Sequence, residues 1–108
     1  MNNKVLTLLG FASKAGKLCY GMEAAVYSIK SGKSRLVVVA SDISVKSKKE
    51  VSFFAEKESV KQLILNDFNI KAVSDAVGRK CGIVSIIDSG FADAVLKAYV
   101  EGGNANDE

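Results

Sequence analysis

The segment Ser13–Ala25, SKAGKLCYGMEAA, sets two glycines five residues apart around a lysine, a cysteine and a tyrosine. Gly21 stands where a short strand would hand over to a helix. A glycine there lets the backbone approach a ligand closely, and the free amides and dipole of the next helix can hold an anion or donate to the edge of a base. The same glycine would be needed if it did no more than turn the chain. Other chemistries are narrowed by the residue types present. Histidine is absent, which removes the commonest general base and the usual partner of a nucleophilic Ser or Cys. Cys19 and Cys81 have no companion at metal-binding or redox spacing and read as small core hydrophobes. Asp42 and Asp88 fall just beyond two strand ends, with Ser44 and Ser85 close by, a placement that α/β sheets give to ligand groups. Capping and turn formation account for the same aspartates. The chain therefore reads as non-enzymatic, with no cofactor.

Phosphate loops fail on spacing. GFASKAGKL has five residues between Gly10 and Gly16, Leu after the lysine, and a helix where a strand is required; SGKS at Ser31–Ser34 has Tyr27 at the first glycine position. The charge is uneven: residues 1–50 hold nine Lys or Arg against three acids, and residues 51–108 hold six against nine. A basic half points weakly to a polyanionic partner, or simply to a solubilised surface.

The elements that must position these residues follow from periodicity. Val5, Leu8, Leu9 and Ala12 lie on one helix face, and Gly16 ends that helix. Lys17–Tyr20 is a short strand and Met22–Ser31 a second helix. Leu36–Ala40 is a fully apolar strand, buried on both faces. A third helix carries Val51, Phe54 and Ala55 on its apolar stripe, with Lys46, Lys48 and Lys49 near its start. Val60–Leu65 is a strand, Asp67 caps a helix that ends near Gly78, Ile83–Ile87 is the last strand, and a final helix begins at Asp88 or Ser89. The order αβαβαβαβα predicts a three-layer α/β/α sandwich with a four-stranded mixed sheet. One domain is expected over residues 1–101, followed by a flexible acidic tail, 102–108. No apolar run reaches the roughly 20 residues of a membrane helix, and the expected location is the cytoplasm.

Leu8–Ser44, LLGFASKAGKLCYGMEAAVYSIKSGKSRLVVVASDIS, with Val77–Val95, VGRKCGIVSIIDSGFADAV, resembles the ribosomal protein family numbered seven-A-e, and within it the bacterial YlxQ-like branch. The resemblance covers nearly the whole chain. It implies an α/β/α sandwich that recognises structured RNA, kink-turn RNA in many members, at the corner around Gly21, in a ribosome- or translation-associated setting. Kink-turn binders carry G-x-N-E-x-x-K at this junction. Here Gly21 matches, whereas Glu23, Ala24 and Tyr27 replace the Asn, Glu and Lys. The apolar loop that shelters a flipped-out nucleotide in the family is short here, because Gly82 passes directly into Ile83. Each missing base-edge contact is worth about 1 to 3 kcal/mol.

The expected RNA-binding residues are Lys14, Lys17, Tyr20, Gly21, Met22, Glu23, Tyr27, Lys30 and Lys33. The lysines, with Arg35, would meet phosphates, and Tyr20 or Tyr27 would stack on a base unless they serve as half-buried core edges. Glu23 could accept from a guanine amino group or simply offset the helix dipole. The altered motif leaves a second class open: a protein-interaction module on the same fold, taking ribosomal, transcription or translation proteins as partners.

Overall fold

The structure, a computed structural model, describes residues 4–106. Five helices alternate with four strands: α1 Lys4–Lys14, β1 Leu18–Tyr20, α2 Met22–Lys30, β2 Leu36–Val39, α3 Val45–Lys57, β3 Lys61–Ile64, α4 Ile70–Val77, β4 Ile83–Ile86 and α5 Ser89–Asn106. The sheet order is β1-β4-β2-β3, with β4 antiparallel to β1 and β2, and β2 parallel to β3. This is the mixed four-stranded sandwich that the alternating pattern predicts.

The two central strands are buried along their whole length. Alternate side chains of β2 feed different layers: Leu36 and Val38 join the core under α1, α4 and α5, while Val37 and Val39 join the core under α2 and α3. An unbroken apolar strand is what a sheet covered on both faces requires. On β4 the α2 side also carries Ser85, whose hydroxyl lies 2.7 Å from Ser28 Oγ and 2.7 Å from Ser34 Oγ. Ser28 also donates to the Ala25 carbonyl. Three buried hydroxyls therefore satisfy one another across the sheet–helix interface, and Ser85 is a structural group rather than a nucleophile.

Helix ends follow local chemistry. Past α1, Gly16 takes φ 74° while Lys17 N–H reaches back to Ala12 O at 2.9 Å, closing the helix with a left-handed residue. Ser44 caps α3 by accepting from Ser47 N–H, and Asp88 Oδ2 accepts from Phe91 N–H at 2.9 Å to cap α5. Asp42 Oδ1 accepts from Ile70 N–H at 2.7 Å. Both aspartates are thus engaged by helix starts. The cap of α4 is Asn69, which accepts from Ala72 N–H, and not the expected Asp67. Phe68 explains the delay: its ring packs on the core and its carbonyl accepts from Ser41 N–H, which puts off the helix start by two residues. Helical backbone in α5 continues to Asn106, into the stretch expected as a tail; Asp107 and Glu108 lie outside the described residues.

Candidate nucleic-acid interface

The corner between β1 and α2 is built on backbone. Gly21 N–H donates to Ile83 O at 2.7 Å, and Gly21 O accepts from Ala25 N–H at 2.9 Å. Its φ of 91° and ψ of 167° fall in a region reserved almost entirely for glycine. The residue therefore ties the end of β1 to β4 and starts the helix in a conformation that no ordinary side chain adopts comfortably. No side chain caps α2. A Cβ built on Gly21 would meet nothing within 4 Å, so the space in front of the backbone is open.

The expected site residues separate into groups. Met22 is half-buried and packs on the α2–α3 core, while Glu23 is exposed in the first turn of α2. Tyr20 is held in place: its hydroxyl lies 2.6 Å from Ser13 Oγ, Ser13 donates to Val77 O, and the Arg79 guanidinium sits 4.5 Å above its ring. That contact joins the ends of α1 and α4 to β1. Tyr27 is 70% exposed, one helical turn from Glu23, and lines a groove of about 590 Å³ between α2 and α3 with Val26, Lys30, Glu50 and Phe54. The Lys30 ammonium lies 4.7 Å above the Phe54 ring. Lys14 lines a cleft between α1 and α4.

Lys17, Lys33 and Arg35 are not at the corner. Register places Lys17 and Arg35 on either side of Ile87, one residue before the Leu18–Ile86–Leu36 row, whereas Gly21 lies beyond the Tyr20–Val84 row. Four strand residues separate Lys17 from Gly21, roughly 13 Å. Nine residues of α2 carry the chain the same way, leaving Lys33 at the far end of the sheet. The cations that share the Gly21 end come from elsewhere: Arg79 and Lys80 from the α4–β4 loop, and Lys46, Lys48 and Lys49 from the start of α3. Lys48 Nζ donates to Ser41 O at 3.1 Å and steadies the β2–α3 loop. Arg79 and Lys80 lay outside the sequence-derived set, although GRKCG, Gly78–Gly82, was a visible glycine-bracketed signal.

Gly82 positions that loop. It is half-buried, its carbonyl accepts from Ala40 N–H, and a Cβ there would come within 2.5 Å of Ile43 Cδ1 and 2.8 Å of Ile70 Cγ1. Cys81 next to it is buried; burial pushes its thiol pKa up, with the Arg79 charge opposing. Among the described residues no group of three His, Cys, Asp or Glu side chains comes together to hold a metal ion. No helix among the described residues is long and apolar enough to cross a membrane.

The fold is a small α/β/α sandwich of five helices and a four-stranded mixed sheet. The chain belongs to the ribosomal protein L7Ae/L30e/S12e/Gadd45 family, whose model it matches over residues 3–96. It is 32% identical over 100 residues to the RNA-binding protein YlxQ of Enterococcus faecium, covering 92% of this chain and 93% of that one. It is 30% identical over 87 residues to the large ribosomal subunit protein eL30 of Candida glabrata, covering 79% and 82%. Among solved structures, a Bacillus halodurans protein of unknown function superposes with a TM-score of 0.84 at 24% identity, covering 90% and 97% of the two chains. A Giardia lamblia 15.5 kD RNA binding protein superposes with a TM-score of 0.76 at 17% identity, covering 91% and 83%. These two likenesses bear on the fold.

Proposed function

We propose that the protein binds structured RNA without catalysis, using the Gly21 corner to meet a kinked backbone, and that it acts in association with the ribosome or translation. The observation that carries this reading is the glycine-only conformation at Gly21, which leaves an uncapped helix start facing open space in a chain of this family. Backbone amides can recognise the shape of a kink without the Asn, Glu and Lys side chains that this chain lacks. Glu23 supplies an acceptor beside them. Arg79 and Lys80 supply phosphate contacts from the α4–β4 loop, with Arg79 held in register by the Tyr20 ring.

The test is fluorescence anisotropy with a labelled kink-turn RNA and an unkinked duplex of equal length, which keeps phosphate charge nearly constant. Wild type should prefer the kink. Glu23→Ala should narrow that preference by roughly tenfold or more, the equivalent of one base-edge contact, with no more than the roughly 0.3 to 1 kcal/mol loss of stability that its helix-dipole contribution accounts for. Equal binding of both RNAs by wild type would overturn the kink reading. A second reading rests on the groove between α2 and α3, which Phe54 lines and where Tyr27 is 70% exposed: a protein-interaction surface. No RNA binding at moderate salt would favour it.

A further inference from the structure

A group of exposed cations lies at the end of the sheet away from the corner. The loops and helix ends at the opposite end of the sheet hold six cations, Lys17, Lys30, Lys33, Arg35, Lys57 and Lys61, against four carboxylates, Glu56, Glu58, Asp88 and Asp93. At the Gly21 end, five cations face Glu23, Asp42, Glu50 and Asp67, so that end is close to balanced. All six cations of the opposite end are exposed, and among the described residues none has a carboxylate within ion-pair distance. Asp88 is already committed to capping α5.

Helix-dipole compensation accounts for Lys30 and Lys57, which close α2 and α3. It does not account for Lys17, Arg35 and Lys61, which sit at strand starts. Sheet register spaces them: Lys17 and Arg35 flank Ile87 across two strand intervals, about 10 Å, and Lys61 on β3 pairs with Leu36 next to Arg35, about 5 Å further. The result is a row of cations across the end of the sheet. Behind it, Arg35 and Lys61 line a cleft of about 340 Å³ with Ser34, Ser89 and the carboxylates Glu58 and Asp93.

We propose that this end is a second RNA-contacting surface, one that takes phosphates of a segment other than the one at the Gly21 corner. The corner then reads shape while the row of cations at the opposite end adds salt-sensitive phosphate contacts of its own. One molecule can hold two RNA segments together. The choice of RNA as the polyanion rests on the function proposed above; the location of the surface does not.

The test is the salt dependence of binding to a plain RNA duplex between about 50 and 200 mM salt, where each phosphate contact contributes roughly 0.7 to 0.9 to the log–log slope. Combining Lys17→Gln, Arg35→Gln and Lys61→Gln should reduce that slope by about two, whereas Lys46→Gln, Lys49→Gln and Lys97→Gln together should change it by less than one. The first variant should also lose the capture of a labelled duplex by protein loaded on an immobilised kink-turn RNA, while staying bound to the kink-turn RNA itself. Equal slopes in the first variant and wild type, or an equal drop in both variants, would overturn the proposal. So would failure of wild type to bind duplex at low salt. Should the triple variant not fold, Lys33→Glu on the exposed α2–β2 loop reads the same slope alone. If wild type shows no kink preference, the corner reading fails while the slope comparison still decides this one.

Discussion

At Gly21 and Gly82 the same residue type is required for different physical reasons. Gly21 needs its φ of 91° and has empty space where a side chain would be, so Gly21→Ala should cost about 1 to 3 kcal/mol through backbone strain alone. A loss of RNA binding in that variant is interpretable only beside its melting curve. Gly82 has an ordinary φ but no room, and Gly82→Ala should cost about 1 to 3 kcal/mol by pushing Ile43 and Ile70 off the sheet. Urea unfolding of both variants checks these values. Cys81 gives a pH signature. Burial favours its neutral thiol and raises the folded pKa above the ordinary 9.0. Its contribution to stability is therefore full below pH 9 and is lost as pH rises through the folded value. Melting temperature should fall more steeply above pH 9 in the wild type than in Cys81→Ser, measured by circular dichroism.

At the scale of elements, capping shows what the sequence disclosed and what it hid. Gly16 and Gly78 end α1 and α4 as their position after apolar stripes predicts. Asp67 and Asn69 are both plausible caps in DFNI, and only the packing of Phe68 selects Asn69. Asn69→Ala should destabilise by about 1 kcal/mol and Asp67→Ala by much less, read from thermal melts. The candidate site was half legible for a similar reason. Gly21, Met22 and Glu23 are neighbours along the chain and in space. Lys17 and Lys33 are close to Gly21 in sequence, but a strand and a helix that leave from one corner carry them to the other end of the sheet. Arg79 reaches Tyr20 from 59 residues away, a contact that exists only because β4 pairs with β1. Periodicity reports which face of an element is buried; it does not report which loops meet.

The whole molecule is asymmetric across its sheet. Among the described residues, seventeen buried side chains fill the core under α1, α4 and α5, and seven fill the core under α2 and α3. At about 25 cal/mol per Å² of apolar surface removed from water, the thinner layer holds its helices with correspondingly less free energy. The buried Ser28–Ser85–Ser34 hydroxyls add directional contacts but little net stabilisation, because water would satisfy the same groups. The α2–α3 layer should therefore open by itself before the sheet unfolds. Amide hydrogen exchange should show α2 and α3 exchanging through this partial opening, with β2 and β4 protected up to global unfolding. Because the Gly21 corner begins α2, RNA bound there must pay for holding that layer closed. Bound RNA should thus slow exchange along α2 and into α3 well beyond the residues it touches, while leaving α1 and α5 nearly unchanged. Protection confined to the first turn of α2, or equal free and bound exchange across both layers, would show that binding at the corner is not coupled to the weaker layer.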